Sequence, residues 1–290
     1  RLARECADQT MAQFPDRQIL VAGSVGPTSK SLSLSPDVSD PGFRPYSFEQ
    51  MHQAYKEQIE GLVRGGVDMI LIETCFDALN VKAALSACQA VGNTPVTVSV
   101  SVGDRSGRTL TGQTLEAFYT SVMHGGLISF GVNCSLGASE LMPLVKEISS
   151  WCRCAVSCYP NAGLPNEMGG YDQSPEEMAA QVREMAAAGM VNIVGGCCGT
   201  TPGHIKAIAD AVRDLAPRRI PQADACEEKL LTVSGLETVT IDVRKSNFTN
   251  IGERTNVAGS RKFARLIAEG KYDEALQIAA RQVEDGASII

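Results

Sequence analysis

The sequence predicts an α/β protein built on a parallel sheet. Two observations carry that reading. Across the first 215 of 290 residues, apolar β-branched runs alternate with helical patterns. The runs are also near-continuous and not strictly alternating, as expected of strands buried on both faces. Repeated β-then-α units imply parallel strands with right-handed crossovers. An open doubly wound sheet and a closed (β/α)8 barrel both satisfy this. No Gly-x-Gly-x-x-Gly follows an early strand, so dinucleotide binding has no support.

Taken in order, "RLARECADQTMAQF" at the start reads as an amphipathic helix and not as a signal peptide. Strands are expected at "QILVAG" (18–23), "MILIET" (69–74), "PVTVSVSV" (95–102), "ISFGVNC" (128–134), "CAVSCY" (154–159) and "VNIVGG" (191–196). Ser47 with Gln50 makes a capping box, and Phe48, Met51, Tyr55, Ile59 and Leu62 form one apolar stripe behind it. Ser174 with Glu177 is a second capping box, with Pro175 at the first helical position. Thr201-Pro202 repeats that start. Six strands are visible where a barrel needs eight, and the chain begins inside a helical pattern. If the fold is a barrel, an N-terminal truncation accounts for the two missing units; the open sheet stays an alternative. Residues 216–245 read as an interdomain linker with one or two short strands. Residues 246–290 read as a strand and loop, two helices and a strand just starting: the opening of a second α/β domain.

Composition narrows the function. Hydrophobic residues make up 44% and charged residues 20%, enough for a sizeable core. A net charge of −7 argues against nucleic acid as the main partner. No apolar run reaches the ~18 residues of a membrane helix. The ten cysteines (Cys6, Cys75, Cys88, Cys134, Cys152, Cys154, Cys158, Cys197, Cys198 and Cys226) come without a secretory signal. That points to a reducing cytosol, where clustered thiols bind metal or do chemistry.

The chemistry concentrates at two strand ends. Cys134 ends one predicted strand, and Cys197 and Cys198, in "VGGCCGTTP" (194–202), end another. Carboxyl ends of parallel strands meet on one face, so three thiols can converge. Three protein ligands with one open position is the coordination of catalytic zinc. Neighbours in a regular strand point to opposite faces, so Cys197 and Cys198 share a metal only if the backbone bends, which Gly195, Gly196 and Gly199 permit. Buried structural thiols and a redox pair remain alternative readings. Cys152, Cys154 and Cys158 share strand parity and read as core. His52, His124 and His204 read as solvated or capping groups. Glu73 closes its strand as a pocket residue or a surface cap.

"GVNC" (131–134) with "GGCCGT" (195–200) resembles the zinc motif of the homocysteine S-methyltransferases. "VGPTSKSLSLSPDV" (25–38), "GRTLTGQT" (107–114), "YPNAGLPN" (159–166) and "NIVGGCCGTTP" (192–202) extend the match. "NIGERTNVAGSRKF" (250–263) resembles the start of a methyltetrahydrofolate-binding, or pterin-binding, domain. The two in sequence resemble the cobalamin-dependent methionine synthases. The resemblance implies a (β/α)8 TIM-type barrel at 1–215, with Cys134, Cys197 and Cys198 as Zn²⁺ ligands and homocysteine sulfur in the fourth position. It implies that Glu73 holds the substrate's amino group and that Asn133 stands beside the metal. At 246–290 it implies a second TIM-type barrel beginning, with Asn256, Ser260, Arg261 and Lys262 toward the folate. The reaction implied is methyl transfer from methyltetrahydrofolate through methylcobalamin, carried on a domain of a longer chain. The family's Asp-Gly-Ala-Met-Gly-Thr-like and Glu-Thr-Asn-like strand ends have no match here, so the piece alone is expected to be inactive. A single-donor methyltransferase using betaine or a sulfonium, and a non-catalytic zinc or redox thiol module, are the alternatives.

Overall fold

The computed structural model describes residues 1–221, 230–246 and 248–290. Cys226 lies outside them. The chain divides into two compact units: Arg1–Gln222 with Ser234–Thr238, and Ala223–Val233 with Val239–Ile290.

The first unit opens with helix α1 (Leu2–Gln13), of which only Ala7 is buried. Six strands follow: β1 (Ala22–Val25), β2 (Met69–Cys75), β3 (Val96–Val100), β4 (Ser129–Gly137), β5 (Ala155–Asn161) and β6 (Ile193–Val194). Between them run α2 (Phe48–Arg64), α3 (Ala78–Val91), α4 (Leu115–Val122), α5 (Ala138–Trp151) and α6 (Pro175–Ala187), with α7 (Pro202–Val212) after β6. All strand pairs are parallel, and the sheet order is β1-β2-β3-β4-β5-β6. Sequential order without a reversal is the order of a barrel wall. A doubly wound sheet would show a switch point.

The predicted elements are found with shifted limits. β1 starts at Ala22 and not at residue 18, because the Asp68 carboxylate accepts the Val21 N–H at 2.6 Å and takes the place of a ladder partner. β6 is two residues long, although the chain stays beside β5 past its end, with Gly195 N–H donating to Cys158 O at 3.2 Å. Burial on both faces holds for β3 but fails for β1 and β6, which lie at the two edges and are partly exposed. β5 starts at Ala155, so Cys152 and Cys154 sit in the connection before it, and only Cys158 is a strand residue. Cys152 and Cys158 are buried, as core thiols should be.

The capping boxes of α2 and α6 form as expected, and the stripe of α2 is buried at Met51, Tyr55 and Ile59. α7 carries a third box, in which Thr201 Oγ1 and His204 Nδ1 stand 2.9 Å apart. His204 is buried and capping, whereas His124 is exposed.

The sheet has two unlike faces. Val98, Phe130, Val132, Val156 and Cys158 point toward the helices and are fully or nearly fully buried. Thr97, Ser99, Ser129, Asn133 and Ser157 point the other way, buried yet polar. A concave polar face with a greasy convex one is what a site-bearing barrel wall requires.

Strands β7 (Leu230–Ser234) and β8 (Thr238–Asp242) pair as a two-stranded sheet, and the second unit holds all their residues but Ser234 and Thr238, together with α8 (Arg261–Ala268) and α9 (Tyr272–Glu284). Ile251 makes an isolated parallel bridge to Ile289, with α8 and α9 between them. No helix among the described residues is long and apolar enough to cross a membrane.

Candidate metal centre

Cys134, Cys197 and Cys198 come together at the carboxyl ends of β4 and β6. Their three sulfurs lie within 4.8 Å of one another. Cys134 Sγ is 3.6 Å from Cys198 Sγ, and Cys197 Sγ is 4.0 Å from Cys198 Sγ. A tetrahedral zinc with ~2.3 Å bonds holds its sulfurs ~3.8 Å apart. The spacing therefore fits that ion, and it is far too long for the ~2.05 Å of a disulfide. The donor set fits as well, because soft thiolates suit Zn²⁺. Burial pushes the Cys197 thiol up to about 12, with Cys134 beside it opposing ionisation further. Crowded thiols of this kind need a cation to become thiolates.

The backbone explains how adjacent cysteines face one point. After β6 ends, Cys197 N–H donates to Pro160 O at 2.7 Å and Cys198 N–H to Asn161 Oδ1 at 3.1 Å. Ala162 N–H returns a bond to Cys198 O at 2.9 Å. Gly199 has φ +77, and a Cβ there would lie 2.3 Å from Tyr171 Cβ. Gly195, expected to aid the bend, meets only ordinary contacts and serves as cleft lining.

Three non-glycine residues at this rim sit in the left-handed region: Thr74 (φ 59), Cys134 (φ 62) and Ser135 (φ 61). Such residues cost of order 1–3 kcal/mol each and gather at functional sites. Local bonds hold them. Ser135 Oγ is 2.6 Å from Ser101 Oγ. Asn133, fully buried, accepts from Thr74 N–H at 3.1 Å and from Ser99 Oγ at 2.6 Å. Its amide donates to Thr74 Oγ1 at 2.8 Å and to Cys197 Sγ at 3.8 Å. Asn133 is therefore a support for a cysteine sulfur, with all its capacity used.

Glu73 stands near the end of β2 on the same side of the sheet, accepting from Ser24 Oγ at 2.5 Å. It lines a cleft of about 370 Å³ together with Thr97, Tyr159 and Gly195. Asn161, Thr74 and Tyr159 were not singled out by sequence reasoning. Asn161 and Tyr159 lie in the "YPNAG" stretch, whose wording was the one available signal.

In the second unit, Ser260 is buried and spends its hydroxyl capping α8, accepting from Phe263 N–H at 3.3 Å. Asn256 Oδ1 accepts from Ala258 N–H at 2.9 Å, inside its own turn. Arg261 and Lys262 are exposed in the first turn of α8.

A family model described as homocysteine S-methyltransferase matches residues 1–212. The chain belongs to the homocysteine S-methyltransferase family. Three solved forms of the homocysteine methyltransferase MmuM from Escherichia coli are similar in fold. The apo form is 23% identical, with a TM-score of 0.53, covering 72% of this chain and 69% of that one. The oxidized form is 24% identical at TM-score 0.59, covering 72% and 67%. The metallated form is 23% identical at TM-score 0.54, covering 72% and 67%. The parallel six-stranded sheet of this homocysteine S-methyltransferase chain is consistent with the family's TIM-type barrel. Its three-thiol cluster could hold a metal ion at that sheet's carboxyl edge.

Proposed function

We propose that this chain transfers a methyl group to the thiol of homocysteine, giving methionine. The observation that carries the reading is three cysteine sulfurs at zinc spacing, on the site-bearing edge of a parallel sheet, in a chain of this family. Cys134, Cys197 and Cys198 would hold the zinc ion. Bound zinc supplies a Lewis acid that keeps a thiol substrate in its nucleophilic thiolate form.

The chain's own residues do the rest. Asn133 and Asn161 fix the directions of Cys197 and Cys198, as partners behind metal ligands do. Glu73 presents a carboxylate to the cleft and accepts the ammonium of an amino-acid substrate. The methyl group leaves its donor as a cation equivalent. The substrate sulfur supplies the electron pair and has already lost its proton. Three cysteine thiolates leave the centre at net −1, which keeps the substrate's sulfur electron-rich.

For the donor, we read methyltetrahydrofolate acting through methylcobalamin carried on a separate domain of a longer chain. Supporting this is "NIGERTNVAGSRKF" (250–263), in which Ile251 makes an isolated parallel bridge to Ile289 across α8 and α9. In this reading residues 1–215 form the homocysteine domain and 216–245 the linker. Residues 246–290 open a pterin-binding barrel, with Asn256, Ser260, Arg261 and Lys262 toward folate, all in the cytoplasm.

Metal-edge X-ray absorption tests the core of the proposal. Three sulfur ligands should become four only when homocysteine is added. Four protein ligands with no change on adding the thiol would sink it and favour a structural thiol module. Supplying the full-length enzyme in turn with methyltetrahydrofolate plus cobalamin, betaine or a sulfonium identifies the donor.

A further inference from the structure

The end of the sheet opposite the metal centre carries a second pair of thiols. Cys152 and Cys154 lie in the connection between α5 and β5, about 20 Å of strand away from Asn161 at the other end of β5. Their sulfurs stand 3.5 Å apart, in contact but unbonded. Cys152 is fully buried, and Cys154 is partly exposed. No third metal-donor side chain joins them among the described residues, so the pair falls short of a zinc site. Its surroundings favour negative charge instead. The buried Arg218 guanidinium donates to Ser149 O at 2.9 Å, to Cys154 O at 3.2 Å and to Cys152 O at 2.5 Å. It meets no carboxylate among the described residues. The Cys154 thiol donates to Cys152 and, with the Arg218 charge nearby, holds the Cys152 thiol below its ordinary value. Tyr119 accepts from Arg153 N–H at 3.3 Å, which leaves its own proton for the thiols.

We propose that Cys152 and Cys154 form a dithiol site that reacts with low-molecular-weight disulfides and closes reversibly to an intramolecular disulfide. Cys154, the exposed member, attacks one sulfur of the small disulfide while its proton moves to Cys152. A mixed disulfide forms and the first small thiolate leaves. Cys152 then gives up its proton, attacks the Cys154 sulfur and expels the second small thiolate. The two thiol protons end on the two released thiols, and the two electrons the pair loses reduce the small disulfide. Closing the bond brings the sulfurs about 1.5 Å nearer, from contact to ~2.05 Å. Arg218 is a positioning residue, held by the carbonyls of both cysteines with its charge beside the thiolate.

The test incubates the zinc-loaded full chain with mixtures of oxidised and reduced glutathione, then alkylates the free thiols and maps the peptides by mass spectrometry. The peptide holding Cys152 and Cys154 should lose two hydrogens and take no alkyl group, with zinc stoichiometry unchanged. Trp151, the one tryptophan of the chain, precedes Cys152 and packs on Tyr119 with ring centroids 5.4 Å apart. A disulfide quenches a neighbouring indole, so its emission should fall on closure and return with dithiothreitol. Cys152→Ala should trap glutathione on Cys154, and Cys154→Ser should leave Cys152 reduced. Arg218→Gln should slow closure by about 3- to 10-fold, since a smaller thiolate fraction is partly offset by higher nucleophilicity, and Arg218→Lys should restore it. The proposal is overturned if both thiols are still alkylated once the exposed Cys6 carries glutathione. Closure seen only in urea overturns it too, as does a wild-type Cys154 that keeps glutathione without closing. The wild-type map decides even where an Arg218 variant fails to fold.

Discussion

Cys198 is aimed by a residue on a different strand. Its N–H is satisfied by the buried Asn161 side chain. Asn161→Ala should leave that N–H unpaired, costing about 1–3 kcal/mol, and should weaken zinc binding by about 10- to 100-fold. Asn161→Asp keeps the accepting oxygen and should recover most of the stability. Zinc competition with a colorimetric chelator, beside a melt, measures both. Cys197→Ala should remove stoichiometric zinc altogether, and a variant that kept it would refute the ligand assignment. At this scale the thiols were legible, because two strand ends rich in glycine and cysteine are rare. Their supports were not. Asn161 matters through a bond to Cys198, 37 positions away, and no local spacing encodes that.

At the scale of elements, β4 and β5 fit together only because residue 131 lacks a side chain. A Cβ on Gly131 would fall 1.8 Å from Ser157 O. Gly131→Ala must therefore push apart the pair that carries Cys134 and Asn161. We expect a loss of 3 kcal/mol or about that size, at the upper end for overpacked sites, with zinc binding lost in parallel. Urea denaturation followed by circular dichroism reads this. Ser174→Ala removes the capping box of α6 and should cost only about 1 kcal/mol, leaving zinc binding unchanged. Helix starts were legible because caps are local chemistry. Strand limits were not, since the late start of β1 depends on the carboxylate of Asp68, 47 residues away from the Val21 it pairs with.

The whole molecule carries buried thiols beyond the metal centre. Burial pushes Cys75 up to about 12, helped by the neighbouring Glu73, and pushes Cys158 up to about 12 by burial alone. An unfolded thiol ionises near 9.0. The native state thus keeps protons that the unfolded state gives up. Stability should be full below that pH and fall as pH rises from about 9 toward 12. Urea midpoints at about pH 8 and about pH 10.5 test this, and Cys158→Ala should flatten the slope even though it lowers stability throughout. Stripping zinc with a chelator should lower the melting temperature, since a ligand that binds only the folded state stabilises it by mass action. The parallel class of the first unit was legible from β-α alternation. The barrel was expected from the family resemblance, not from periodicity, and the sequential strand order is consistent with it. The sequence count of six strands matches the six in the described sheet.

The left-handed backbone at Cys134 and Ser135 has a consequence for laboratory evolution. Glycine adopts that conformation without penalty, so Cys134→Gly or Ser135→Gly should relieve about 1 kcal/mol of local strain. A library ranked on heat resistance alone, in metal-depleted medium, would drift toward glycine at position 134. It would then return sturdier molecules that had discarded a ligand of the candidate zinc site. Any such screen on this scaffold has to select for zinc retention in the same round.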